Sequence, residues 1–116
     1  MIRFLLAAAA TAAVALAASA CGSTDASLDC STAGATATVS GTGSLTFSPV
    51  SVTIAAGQSV CWQNTSGLSH TVTADGGSFT SPLNPNVTFT HTFATAGAFP
   101  YHCTIHAGMV GTVTVN

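Results

Sequence analysis

The segment Tyr101-His102-Cys103-Thr104-Ile105-His106-Ala107-Gly108-Met109 places a thiol, a candidate ligand imidazole (His106) and a thioether in one short loop. Strand-like residues flank it on both sides. A second imidazole, His70, stands upstream in Leu68-Ser69-His70-Thr71-Val72. One thiolate and two imidazoles in a trigonal set, with a thioether as weak axial donor, make a blue copper electron-transfer centre. Cu(II) favours nitrogen and oxygen donors, whereas Cu(I) favours soft sulfur and low coordination, so a set acceptable to both states moves little on redox change. His70, Cys103, His106 and Met109 are therefore candidate ligands for one copper ion cycling between Cu(I) and Cu(II). Zinc is the rival metal, but structural zinc takes four strong nitrogen or sulfur ligands in paired short spacings, and only one such pair is present. Met109 on its own would read as core filler; its place in the ordered loop makes it a ligand candidate.

The rest of the chain must deliver these side chains to one place. At 116 residues there is room for one domain, and part of the chain lies outside it. Residues 1–20 read as an export signal. Met1-Ile2-Arg3 gives a positive start, Phe4 to Ala18 is apolar but short for a membrane span, and Ser19-Ala20 precede Cys21. A Cys after two small residues resembles a bacterial lipobox, in which cleavage falls before the Cys and its sulfur is lipidated. Ordinary cleavage after Ala18-Ser19-Ala20 would instead leave a free protein. Residues 21–33 are small, polar and aperiodic, as in a flexible tether. Residues 34–116 remain as the domain, a size that buries one modest core.

Arg3 is the only cation of the whole chain, and Asp25, Asp29 and Asp75 are its only acidic residues. Nucleic-acid binding needs Lys or Arg against phosphates and is excluded. An anionic membrane surface is a poor partner on the same ground, so membrane contact is expected only through an N-terminal lipid. A partner must be met mainly through shape and apolar contact, by a single copy of the chain.

Within the domain the hydrophobic period is two. Val60 and Trp62 face one way, Cys61 and Gln63 the other; Val87, Phe89, His91 and Phe93 share a face against Thr88, Thr90 and Thr92. Thr and Val enrichment with frequent turns predicts an all-β Greek-key sandwich of about seven or eight strands. Leu45 and Phe47 are expected to alternate along one of these strands, and residues 76–85 to hold a short turn. Pro100, lacking an amide hydrogen, is expected at an edge or bulge. His91 reads as a hydrogen-bonded core imidazole, His102 as a group facing away from Cys103, and Asn64 as a loop-closing hydrogen-bonder. No Ser/His/Asp constellation, Glu or phosphate loop supports catalysis, and the chain is read as no enzyme.

The ordered motifs resemble the plastocyanin/amicyanin branch of the cupredoxins over essentially the whole domain. They are Gly43-Ser44-Leu45-Thr46-Phe47-Ser48-Pro49, Val60-Cys61-Trp62-Gln63-Asn64, His70-Thr71-Val72, and Phe93-x3-Gly97-x-Phe99-x-Tyr101-x-Cys103 with His106 and Met109 following. The resemblance implies that His70, Cys103 and His106 bind copper through Nδ1, Sγ and Nδ1, with Met109 axial. It implies a buried His70, and a His106 near the surface, ringed by apolar residues, as the electron port. Leu45, Gly67, Leu68, Gly108 and Val110 are expected to form that docking patch for redox proteins, because the chain offers no cationic or mixed-charge alternative. Two departures stand out. His102 occupies a position that is often Tyr beside an acidic patch in plastocyanins, and Ile105 replaces the Pro before the second His, adding an amide hydrogen that could reach the Cys103 sulfur.

The same resemblance bears on the remaining cysteines. With Cys21 given to a lipid and Cys103 to copper, Cys30 and Cys61 are left over in an oxidising compartment. In the family's sandwich the strand after Cys30 and the strand opened by Cys61 run parallel and adjacent, which implies a Cys30–Cys61 disulfide stapling the tether to the sheet. The competing reading leaves Cys61 a free thiol and Cys30 mobile. The function implied is a one-electron carrier between redox partners outside the cytoplasm, periplasmic or lipid-anchored at the cell surface. The alternative is a copper-binding protein for storage, delivery or sensing.

Overall fold

The computed structural model describes residues 29–116. The expected export signal, Cys21 and most of the expected tether lie outside the described residues. A single 3-10 turn, Cys30–Thr32, is capped by Asp29, whose side chain accepts from the Ser31 amide. Nine strands follow: β1 Ala37–Gly41, β2 Phe47–Ser48, β3 Ser51–Ile54, β4 Ser59–Asn64, β5 His70–Ala74, β6 Thr80–Leu83, β7 Thr88–Thr92, β8 Gly97–His102 and β9 Val110–Val115. They form two sheets, ordered β2-β1-β4-β7 and β3-β9-β8-β5-β6. The all-β sandwich is the expected one. The count of nine exceeds seven or eight because Thr80–Leu83, within the stretch read as a turn, pairs with β5 as a strand of its own; the strand expected over Leu45 and Phe47 is shortened to Phe47–Ser48.

Alternation fixes which side chains meet between the sheets. Val39 from β1, Val60 and Trp62 from β4, Val72 and Ala74 from β5, Tyr101 from β8, and Val113 and Val115 from β9 all enter the core. Trp62 sits at its centre, fully buried, with ring centroids of Phe79, Phe89 and Tyr101 at 5.8, 5.6 and 5.3 Å. Cys61 lies on the opposite face of β4, yet it too is fully buried, because the 3-10 turn covers it. The Cys30 and Cys61 sulfurs are bonded, with Cα atoms 5.9 Å apart. Gln63, next on that face, accepts from the Cys30 amide at 2.8 Å and donates to Ser40 Oγ at 2.9 Å. The last part of the expected tether is thereby held against the sheet.

Three other details differ from the expectation. Pro100 lies in β8, an interior strand, but β5 pairs with β8 only at Thr73↔His102 and Ala74↔Tyr101. Pro100 stands where that pairing ends: its carbonyl accepts from the Asp75 amide, but with no amide hydrogen it cannot return the bond, and the ladder stops there. Leu45 is not in a strand. It sits in the β1–β2 turn at φ 59°, closed by its own amide to Thr42 O at 3.2 Å. His91 forms no side-chain hydrogen bond among the described residues. Its half-buried ring is held by aromatic faces instead, with centroids of Phe79 and Phe93 at 4.7 and 4.8 Å, and this burial holds its imidazole below the usual range.

Candidate metal centre

His70 is the first residue of β5 and pairs with Leu83 of β6, which fixes its backbone in the sheet. Cys103, His106 and Met109 come from the loop that joins β8 to β9, two antiparallel partners. That loop is closed by its own backbone: the Cys103 amide donates to Met109 O at 2.9 Å and the Met109 amide to His106 O at 3.2 Å. Gly108 takes φ +83°, a left-handed conformation that a residue with a Cβ enters only with strain.

The His70 and His106 Nδ1 atoms stand 3.2 Å apart, and His106 Nδ1 lies 3.6 Å from Cys103 Sγ. All three donor atoms lie within 4.8 Å of one another. Two imidazole nitrogens each about 2.0 Å from a shared ion, at trigonal to tetrahedral angles, stand roughly 3.3–3.5 Å apart, so the spacing fits donors converging on one metal. His70 is fully buried, Cys103 and Met109 nearly so, and His106 is half-buried. Burial, with the His106 ring beside it as a lesser cause, holds the His70 imidazole below its ordinary range and so in the neutral, ligating form.

Surrounding contacts hold these donors in place. The Thr71 amide donates to Cys103 Sγ at 3.4 Å; the amide that reaches the sulfur is this one, and Ile105 makes no such bond among the described residues. The Thr104 amide donates to Thr71 Oγ1 at 2.8 Å, tying β5 to the ligand loop. Gly41 of β1 supplies the floor. A Cβ there would lie 3.1 Å from His70 Cδ2 and 3.6 Å from Met109 Cε, so Met109 and His70 share one close backbone approach. Asn64 closes its loop with all its polar capacity: Nδ2 donates to Leu68 O and Leu83 O at 2.6 and 2.8 Å, and Oδ1 accepts from the Ser66 amide and hydroxyl. His102 faces away from Cys103 and pairs with Asp75 at 2.5 Å.

Sequence reasoning missed Gly41, Ser66 and the Thr71 backbone as parts of the site. An isolated glycine at the end of an alternating strand signals a close backbone approach and could have revealed Gly41. The other two depend on which loops meet, which no local pattern encodes. Leu45, Leu68 and Val110 are 39%, 46% and 53% exposed, and Gly67 and Gly108 are exposed with them. Ile105, in the loop itself, is 55% exposed and was not among the expected surface residues.

Residues 34–116 match the family model described as copper binding proteins, plastocyanin/azurin family. The plastocyanin of Scenedesmus fuscus is 38% identical over 87 residues, covering 63% of this chain and 89% of that protein. The chloroplastic plastocyanin of Tetradesmus obliquus is also 38% identical, over 63% of this chain and 60% of that relative. Among solved structures, a purple cupredoxin from Nitrosopumilus maritimus superposes with a TM-score of 0.64 at 30% identity, covering 69% of this chain and 99% of the other. Amicyanin from Paracoccus versutus gives 0.62 at 29% identity, over 72% and 83%. A family match spanning the whole sandwich, together with a soft-and-borderline donor cluster of two imidazoles and a thiol, leaves one conclusion: the chain belongs to the plastocyanin/azurin family of copper-binding proteins, and its cofactor is a single copper ion.

Proposed function

We propose that the chain is a one-electron carrier in which His70 Nδ1, His106 Nδ1 and Cys103 Sγ would hold the copper and Met109 would add a weak thioether donor. The convergence of those three donor atoms carries the reading. Copper, when bound, supplies the one-electron couple. The protein's part is to keep the donors still. β5 and β6 fix His70, the closed 103–109 loop fixes the other donors, and the Thr71 amide offers a hydrogen bond to the Cys103 sulfur. His70, Cys103 and Met109 are buried, an enclosure that suits a metal exchanging electrons without binding a substrate.

Electrons pass through His106, the one half-exposed donor, and partners dock on the apolar surface of Leu45, Gly67, Leu68, Ile105, Gly108 and Val110. The Cys30–Cys61 bond and the N-terminal signal support work outside the cytoplasm, with Cys21 as the point of lipid attachment. No helix among the described residues is long and apolar enough to cross a membrane.

A visible spectrum of the Cu(II)-loaded protein tests the reading. An intense thiolate-to-copper charge-transfer band is expected, absent in Cys103→Ser because a hydroxyl cannot supply the covalent metal–sulfur bond. A colourless Cu(II) form of the native chain, or a blue serine variant, would sink the assignment. Slow copper loss to a moderate chelator in both oxidation states separates a carrier from a delivery protein, which must release its metal.

A further inference from the structure

Resting on the proposed role of His70 as a ligand, we propose that Ser66 is the positioning residue that selects which nitrogen of His70 is presented to the metal. The argument is one of proton count. The Asn64 amide is oriented by its two carbonyl partners: Nδ2 must face Leu68 O at 2.6 Å and Leu83 O at 2.8 Å, both acceptors. Its Oδ1 is therefore the end turned to Ser66, where it accepts from the amide at 2.8 Å and the hydroxyl at 2.7 Å. The single hydroxyl proton of Ser66 is thereby committed to Asn64. A competing donation to Leu68 O is longer, at 3.3 Å, onto a carbonyl that Asn64 already holds.

With its proton spent, Ser66 Oγ has only lone pairs left. One accepts from the Leu68 amide at 3.2 Å, and the other faces His70 Nε2 at 3.0 Å. That contact is favourable only when Nε2 carries the imidazole hydrogen. The unprotonated nitrogen is then Nδ1, the atom aimed at His106 Nδ1 and the Cys103 sulfur. The chain Leu83 O–Asn64–Ser66–His70 thus runs from β6 through the end of β4 into the site and sets both tautomer and ring rotation. The fully buried ring has no solvent to replace the hydroxyl, and the one other polar group that favours a protonated ring nitrogen is the Thr42 backbone, which makes no hydrogen bond of good geometry to it.

Ser66→Ala removes the acceptor but keeps the Ser66 amide bond to Asn64, so the loop remains closed. Expected are a fall in copper affinity of about 10- to 100-fold, with faster metal loss to a chelator, and a metal-free chain that stays folded with its urea midpoint lowered only by the lost hydroxyl bonds. Ser66→Thr, which retains a hydroxyl, is expected to restore the native affinity. A structural role alone would not move a second readout. Imidazole 15N shifts of the metal-free full chain at alkaline pH should show His70 with hydrogen on Nε2 in the native protein and in Ser66→Thr, and a mixture of tautomers in Ser66→Ala. Native protein carrying the hydrogen on Nδ1 would overturn the proposal whatever the variants do. So would a Ser66→Ala protein that keeps both the Nε2–H tautomer and copper affinity within a factor of about two of native. The tautomer measurement needs no copper, so a native chain that shows Nε2–H but no blue colour would fail the carrier reading and leave the role of Ser66 standing.

Discussion

Gly41 has no side chain, yet it decides how closely His70 and Met109 can approach β1. In Gly41→Ala the new methyl would stand 3.1 Å from His70 Cδ2, closer than side chains ordinarily pack, so the ring must give by a few tenths of an ångström. A stability loss of about 1–3 kcal/mol is expected, read by urea unfolding of the metal-free chain, together with a shifted visible spectrum. Unchanged colour and stability would show that β1 is not the floor of the site. Met109→Leu should keep colour and fold but raise the potential by roughly 60 mV or more, because losing even a weak donor disfavours Cu(II); that step is a tenfold change for a one-electron couple. A lowered potential in voltammetry would remove Met109 from the axial position. His91 makes a prediction about pH. Its folded value is depressed by burial, so the unfolded chain binds more protons once pH falls below the ordinary imidazole value of about 6.5. The neutral ring therefore stabilises the domain above that value, and the contribution is lost as pH falls toward the folded value. Urea midpoints of the metal-free chain should drop between neutral and mildly acid pH, and drop less in His91→Phe, with His70 contributing equally to both proteins.

At the scale of elements, the sequence was most legible where one alternating face met one core. The β4 pattern separated Trp62 from Cys61 correctly, and the ligand loop was readable because Cys103, His106 and Met109 are close in sequence and self-contained. Legibility failed where pairing is non-local. Thr80–Leu83 carries Ser81 and Pro82, which suggest a turn, and it becomes a strand only because β5 lends it partners at the sheet edge. Leu45 fits a strand alternation but is bent out of it by the turn at φ 59°. The contacts of Ser66 and Thr71 with the site join segments that only the fold brings together. The β8–β9 pair supplies a sharper test. Tyr101 lies opposite Gly111, and a Cβ on Gly111 would fall only 2.3 Å from the Tyr101 hydroxyl. Gly111→Ala should therefore part the two strands that hold the ligand loop, costing several kcal/mol in urea unfolding, on the order of the larger overpacking penalties. Among the described residues neither the buried Tyr101 hydroxyl nor Trp62 Nε1 has a partner at hydrogen-bond geometry, and burial pushes the hydroxyl pKa up to about 12 against the lowering effect of the Trp62 indole beside it. Tyr101→Phe should change urea stability by no more than about 1 kcal/mol, since it removes one weakly satisfied buried group and leaves Trp62 Nε1 without its polar neighbour.

For the whole molecule, the sparse charge sets how it meets partners. Among the described residues Asp29 and Asp75 are the only carboxylate side chains, and there is no Lys or Arg to accompany them. Electron exchange should accordingly change little with ionic strength, and a steep salt dependence in stopped-flow traces would reveal a charged docking route. The Cys30–Cys61 bond spans 31 residues, for which chain-entropy reasoning assigns roughly 3–4 kcal/mol, so a Cys30→Ala/Cys61→Ala protein should lose about that much in urea unfolding. The position of β9 has a consequence of a different kind. β9 lies between β3 and β8, and its parallel partner β3 was synthesised far earlier. Until the ribosome has made Val110–Val115, β3 has no place in its sheet, and Cys103, His106 and Met109 lack the strand that closes their loop. The domain cannot mature piecemeal as it emerges. Until β9 has been made it stays an open, β-prone chain, a form suited to threading through a narrow pore and exposed to aggregation if that passage is delayed.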